Sequence, residues 1–288
     1  MRVALVAHHD SETNLRLVEA APPGVQAEIV RPSQTRGLLG PNDAALARLD
    51  VLKSLAGIES GSLEVGLLEE EGIPVLNPIA ALQATHDKLQ TSRLLGAAGL
   101  PHPHTVHLVA PGDGAMVELP VVLKPRFGSW GRDVMLCTTR RQLLDGLDEL
   151  STRPWFKRQG VLVQELVPPL GHDLRIVVAA GQVVGAVRRQ AAEGEWRTNV
   201  ALGAERQAAD PPRAAMELAL AAAAVSGADL VGIDLMPIVG DGWAVIELNG
   251  AVEFNDAYSL DRDIFAATMA LLVEAATSRG SEAVAALA

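Results

Sequence analysis

Three groups of residues in this 288-residue chain have the types and spacing to do chemistry. The segments Gly232-Ile-Asp-Leu235 and Val245-Ile-Glu-Leu-Asn249 carry Asp234, Glu247 and Asn249 among apolar neighbours. Strand alternation puts Glu247 and Asn249 on one face, and Asp234 can lie beside them on an adjacent strand. Bare carboxylates in such a setting are costly without a cation. Two carboxylates and an amide oxygen are hard ligands suited to Mg²⁺ bridging nucleotide phosphates, and the same pattern also fits a hairpin edge facing solvent. The second group is Lys124-Pro-Arg-Phe-Gly-Ser-Trp-Gly131. Small residues let backbone N–H groups approach an anion, and the lysine adds a point charge, which suits a phosphate. A plain hairpin turn fits as well; a Walker loop does not, because no Gly-Lys-Ser/Thr follows. The third group is basic: Arg175, then Arg188 and Arg189, then Arg197 and Asn199 in Glu195-Trp-Arg-Thr-Asn199. Arginine forks suit carboxylate or phosphate, while solvated strand charge is the alternative.

The elements that must position these groups follow from hydrophobic periodicity and turn residues. Strands are expected at Arg2–Ala7, Val25–Val30, Leu49–Leu55 and Ile73–Asn77, with helices at Ser11–Ala20 and Ser62–Glu71. This alternation predicts a small parallel α/β domain, and no Gly-x-Gly-x-x-Gly turn supports a dinucleotide site in it. A helical pair, Ile79–Ala84 and Asp87–Gly99, precedes strands Thr105–Val109, Leu119–Lys124 and Asp133–Cys137. A helix over Thr139–Leu150 and a strand over Gly160–Val167 follow. Hairpins are expected from Asp173–Ala179 with Val183–Arg189, and from Leu230–Pro237 with Trp243–Asn249 around Gly240-Asp-Gly242. Helices over Ala208–Gly227 and Asp263–Ser278 complete the chain, with a frayed tail after Arg279. The fold class is α/β plus α+β.

Composition narrows the function. A net charge of −11 argues against a non-specific nucleic-acid binder. With 49% hydrophobic residues the chain can offset the entropy of ordering. The lone Cys137 permits no internal disulfide. The apolar runs Val3–Ala7 and Ala214–Val225 are too short to span a membrane, and no signal peptide is apparent, so a cytoplasmic location is expected. His102, His104 and His107 lack a nearby carboxylate and make a weak zinc site. His8 and His9 end the first strand, where α/β proteins face their ligands.

Taken together and in this order, the segments resemble the ATP-grasp superfamily, and within it the RimK-like and LysX-like carboxylate–amine ligases. The resembling stretches are Thr85–Gln90, Val121–Arg132, Val163–Val167, Gly171–Val177, Val187–Gln190, Gly194–Asn199, Gly232–Leu235 and Ile246–Asn249. The resemblance implies an ATP-grasp fold: a Rossmann-like pre-ATP-grasp domain over 1–78, a central lobe over 79–166 and a C-terminal lobe over 167–288, the two α+β lobes clasping ATP. It further implies that Lys88 and Lys124 bind nucleotide phosphates under a mobile loop of Gly128, Ser129, Trp130 and Gly131. Gln164, Glu165, Leu166 and Val167 would hold adenine, and Asp173 would sit near the ribose. Arg188 would neutralise the transferred phosphoryl group. Asp234, Glu247 and Asn249 would hold Mg²⁺, as two ions replaceable by Mn²⁺. Arg175, Arg197 and Asn199 would face the acyl phosphate or the substrate carboxylate. The implied reaction adds glutamate or a related amino acid to a peptide, carrier protein or small molecule through an acyl phosphate. The alternative is an ATP-binding or phosphotransfer protein that forms no amide. ATP, an amino acid and an acceptor would be the partners of a homo-oligomer, dimer or tetramer, with no nucleic acid and no membrane. The chain reads Leu202-Gly-Ala204 where relatives commonly carry Gly-Gly. Its Gly250-Ala-Val-Glu-Phe-Asn255 is closer to the LysX-like pattern than to the Pro-containing RimK-like one. Six of the nine aromatics (Phe127, Trp130, Trp196, Trp243, Phe254 and Tyr258) are expected in or beside this site.

Overall fold

The computed structural model describes residues 1–112, 117–240 and 242–287. Its first sheet is wholly parallel, in the order β2-β1-β3-β4, from β1 (Arg2–Val6), β2 (Gln26–Val30), β3 (Ala44–Ala47) and β4 (Val75–Leu76). The two middle strands read as unbroken apolar runs because both of their faces are covered. Helix α1 (Glu12–Glu19) starts where the Ser11 side chain accepts from the Asn14 N–H, and α2 (Ser62–Glu70) precedes β4. The third strand is not at Leu49–Leu55. It lies at Ala44–Ala47, and Val51 only bridges to Ile58. Alanine has low strand propensity, so its segment carries no local signal, and the close packing around the sheet selects it.

Two helices, α3 (Ile79–His86) and α4 (Lys88–Ala97), lead out of this domain. The break between them is Asp87, whose carboxylate caps α4 by accepting from the Leu89 and Gln90 N–H groups. The second sheet is antiparallel, in the order β5-β8-β6-β7, from β5 (Thr105–Leu108), β6 (Val121–Lys124), β7 (Met135–Cys137) and β8 (Val161–Glu165). Helix α5 (Arg140–Ser151), opened by a Thr139–Gln142 capping box, packs Leu143, Leu147 and Leu150 into its core. A short helix not foreseen from the sequence, α6 (Pro154–Gln159), adds Trp155 and Phe156 to that core.

The third sheet is antiparallel, in the order β11-β10-β9-β12-β13. Its strands are β9 (His172–Ala179), β10 (Gln182–Gln190), β11 (Glu205–Ala208), β12 (Leu230–Ile238) and β13 (Gly242–Asn249). β11 is fully exposed and polar, which left it without a hydrophobic pattern in the sequence. In the last turn, Asp241 lies outside the described residues. Helix α7 (Arg213–Ser226) covers one face with Ala215, Ala219, Ala222 and Ala223. Helix α8 (Ile264–Leu287) continues past the expected stop near Arg279.

The first and third sheets share one core, in which Leu5 and Leu46 meet Val177, Phe265 and Met269. The junction is fastened by Asn77, which is buried at φ 56°. Its side chain donates to the Leu230 and Gly250 carbonyls (2.7 and 2.9 Å) and accepts from the Asp229 and Leu230 N–H groups (2.7 and 2.9 Å). The second sheet keeps a largely separate core of its own. Among the described residues no helix is long and apolar enough to cross a membrane.

Candidate active site

A cleft of about 910 Å³, counting its open mouth, lies between the second and third sheets. From the second sheet come Lys124, the 128–131 loop and the Gln164–Val167 segment. Lys124 ends β6, is buried, and donates to Gln164 Oε1 (2.7 Å). Burial and the nearby Lys88 push its ammonium down to about 7, against the pull of Glu247. Lys88, at the start of α4, donates to the Gly128 carbonyl (2.7 Å) and pairs with Glu247 Oε1 at 3.0 Å. The loop takes left-handed backbone at Trp130 (φ 61°) and Gly131 (φ 68°). A Cβ on Gly131 would lie 2.8 Å from Asn199 Oδ1, so glycine is required there both by conformation and by space. Gln164 serves Lys124, Glu165 is exposed, and Leu166 and Val167 line the wall.

From the third sheet, register places Arg189 opposite Asp173, Arg175 opposite Asp234, and Asp234 opposite Glu247, all on one face. Asp234 accepts from Arg175 Nε and Nη2 (2.6 and 2.7 Å) and from Arg189 Nη2 (2.9 Å). Burial opposes its ionisation, yet the two guanidiniums hold its carboxyl far below the usual range. Arg189 also forks onto Asp173, to which Thr198 Oγ1 donates. Burial leaves the Asp173 carboxyl raised despite these partners.

The arginine expected at the phosphoryl group, Arg188, is on the wrong face. It is exposed, stands opposite Leu174, and reaches only Gln190 Oε1 at 3.5 Å. Arg189 lines the cleft in its place. The cause is a register shift in the β9–β10 hairpin between Val183 and Gly185. Carrying the turn-proximal pairing through (Gln182 with Ala179, Val183 with Val178) would have put Arg188 opposite Asp173. The extra residue moves every later side chain to the other face.

The remaining expected residues divide. Arg197 donates from Nε to Glu195 Oε1 (2.9 Å) and from Nη1 to the Gly131 carbonyl (3.1 Å), and so braces the loop. Its hydrogen bonds draw the Glu195 carboxyl down to about 2. Asn199 lines the cleft, whereas Arg175 and Asn249 line an adjoining cavity. Of the aromatics, Trp130 and Trp196 line the cleft, but Phe254 is buried in the core shared by the first and third sheets. Thr198 and Ile246, inside the quoted segments, and Met236, just after Leu235, also line the cleft; they were given no role because neither charge nor glycine marks them. His102 and His107 each bond through one ring nitrogen to the Leu100 and Gln159 carbonyls, and His8 to that of Ser60.

Asp234, Glu247 and Asn249 suit a hard divalent cation by donor type. They project from facing positions of β12 and β13, and Asn249 Nδ2 is buried without a partner among the described residues. Asp234 already accepts three hydrogen bonds of the about four that a carboxylate can take. Glu247 and Asn249 are therefore the less committed donors.

A family model for the RimK-like ATP-grasp domain matches residues 85–270. The chain belongs to the RimK-like ATP-grasp family. This RimK-like chain is 32% identical over 199 residues to the alpha-aminoadipate–LysW ligase LysX of Saccharolobus solfataricus, covering 66% of this chain and 70% of that one. It is 27% identical over 197 residues to the glutamate–LysW ligase ArgX of Sulfolobus acidocaldarius, covering 66% and 68% respectively. Its fold matches a RimK-domain ATP-grasp protein from Sphaerobacter thermophilus with a TM-score of 0.64 and 22% identity, over 99% of this chain and all of the other. ATP-grasp ligases use ATP with Mg²⁺, and the RimK-like protein is an ATP-consuming ligase that forms an amide bond.

Proposed function

We propose that this RimK-like ligase joins glutamate or a related amino acid to a peptide, a carrier protein or a small molecule, using the cleft between the second and third sheets. The observation that carries this reading is the convergence of Lys88, Lys124 and the 128–131 loop on one side with Asp234, Glu247 and Arg189 on the other. The relatives named for glutamate and aminoadipate support the acidic amino acid. In this reading the chain divides into domains 1–78, 79–166 and 167–288, each containing one of the three sheets.

A carboxylate resists attack by an amine because it would have to expel oxide. Transfer of the terminal phosphoryl group of ATP to its oxygen creates a leaving group and releases ADP. The amine then attacks the acyl carbon, loses a proton, and phosphate departs. Lys124 and Lys88 bind the nucleotide phosphates, the Gln164–Val167 segment holds the base, and Asp173 lies toward the ribose. Arg189, rather than Arg188, offsets charge on the transferred group. Asp234, Glu247 and Asn249 would hold Mg²⁺, as one or two ions, which neutralises phosphate charge. The 128–131 loop, with Trp130 at its tip, keeps water from the acyl phosphate.

The test is ADP release from Mg-ATP across a matrix of carboxylates and amines. Release that requires one of each, with an amide product, is expected. Hydrolysis or phosphotransfer without amide would overturn the ligase reading.

A further inference from the structure

Two charged residues behind the cleft tie its walls together. Neither Asp87 nor Arg126 is among the described residues that line it. Asp87 precedes Lys88, and Arg126 lies between Lys124 and Gly128. Arg126 donates from Nε to Asp87 Oδ1 (2.7 Å) and from Nη2 to Asp87 Oδ2, a two-pronged fork. Its carbonyl accepts the Lys88 N–H (3.1 Å). Asp87 Oδ1 also takes the Leu89 N–H, so these two residues satisfy the free donors that open α4. The Asp87 carboxylate is only 5% exposed, so solvent screens the pair weakly.

The fork joins two bodies. Leu95 of α4 is buried in the core of the third sheet with Leu174, Ile176 and Ala219, so the helix carries Lys88 with the wall that bears Glu247. Arg126 follows directly from β6 and belongs with the second sheet and Lys124. The ammonium of Lys88 cannot hold this spacing by itself. Its contacts are the Gly128 carbonyl and Glu247, and phosphate and metal compete for both partners. The Arg126 contacts use the Lys88 backbone and the Asp87 side chain, and leave that ammonium free to change partners. The two lysines also repel: after burial, the Lys88 charge is what lowers the Lys124 ammonium. A restraint behind the cleft is therefore needed to keep them together.

We propose that Arg126 is a positioning residue: its fork on Asp87 sets the separation of Lys88 and Lys124, and with it the grip of the two walls on the nucleotide phosphates. The proposal rests on the ligase reading and deepens it by naming the restraint that acts through Lys88. A guanidinium suits the task, because two parallel hydrogen bonds fix angle as well as distance, whereas a lysine ammonium acts as a point charge.

Calorimetric titration of the whole chain with Mg-ATP is the test. Arg126→Met is expected to raise the Kd at least 10-fold. Arg126→Lys keeps the charge without the fork and is expected to raise it at least 3-fold. This variant also keeps a cation beside buried Asp87, so the comparison stands if Arg126→Met fails to fold. The deciding measurement adds Arg126→Met to Lys88→Met. A residue that acts through Lys88 has nothing left to position there, so the added change is expected to stay below 3-fold. A larger added loss would mean damage unrelated to Lys88 and would overturn the proposal. Smaller effects than those stated for Arg126→Met or Arg126→Lys would overturn it too, and would leave the ligase reading intact if Lys88→Met still weakens binding. Binding by Lys88→Met equal to wild type would remove the phosphate role of Lys88 and the proposal with it. Absence of Mg-ATP binding to the unaltered protein would overturn the ligase reading as well.

Discussion

Lys88 Nζ lies 3.0 Å from Glu247 Oε1, so a phosphate-binding lysine and a magnesium ligand of the proposed site neutralise each other across the cleft. Nucleotide and metal must part this pair, each taking one member. Lys88→Met leaves Glu247 unpaired and the phosphates short of one charge. ADP formation should fall about 100-fold in kcat/KM, the scale of losing one preorganised donor. The thermal shift given by Mg-ATP should shrink with it. A coupled ADP assay and a melting curve check both, and a wild-type shift in the variant would count against the assignment.

The two adjacent arginines should behave oppositely. Arg188→Ala removes an exposed side chain on the far face and should change ADP formation less than about 3-fold, since exposed charges contribute little. Arg189→Ala leaves Asp173 and Asp234 short of a buried counter-ion and should destabilise the fold by about 3–5 kcal/mol. Urea unfolding beside steady-state kinetics separates the pair; equal losses in both variants would reverse the facing described above.

Binding should depend on pH through Lys124. Its ammonium is held near 7 in the ligand-free protein, below the ordinary value of 10.5. Nucleotide phosphates favour the charged form and raise that value on binding. Mg-ATP should therefore bind with proton uptake above about pH 7 and weaken as pH rises from there, while affinity below pH 6 is flat with respect to this group. Calorimetry at pH 8 in buffers of different ionisation enthalpy measures the uptake directly. Zero uptake sinks the prediction.

Trp130 is 48% exposed and borders both cavities, whereas Trp155 is buried in the second sheet's core. Closure of the loop on Mg-ATP should alter tryptophan emission, and Trp130→Phe should remove most of that change. An undiminished signal in the variant would place the reporter at Trp196 instead.

Asn77 should be a point of failure for stability. Asn77→Ala deletes four side-chain hydrogen bonds between the first and third sheets and strands buried backbone groups of Asp229 and Leu230. A loss of about 3–5 kcal/mol is expected from unsatisfied buried groups at about 1–3 kcal/mol each. Denaturant unfolding gives the value, and a change under 1 kcal/mol would show that water replaces the side chain there.

Much of the site was legible where chemistry is local. Lys124 with its glycine loop, and Glu247 two residues before Asn249, are marked by type and spacing within one segment each, and the structure places Lys124 and Glu247 on the same cleft. Elements with a strong period, such as the β9–β10 and β12–β13 hairpins, were equally visible. The Ala44–Ala47 strand and the polar edge strand β11 were not, because packing and pairing, rather than propensity, hold them in place.

The sequence by itself determined the kind of chemistry: lysines, arginines and carboxylates in a fixed order along alternating strands. Tertiary structure decided which of those side chains meet. One register shift between Val183 and Gly185 turned Arg189, not Arg188, toward Asp234, and composition does not encode the face of a strand once an extra residue enters it. Likewise only folding brought Asp50, about 200 positions before Glu253, to the wall of one cavity with it, because the first and third sheets share a core that no local pattern announces.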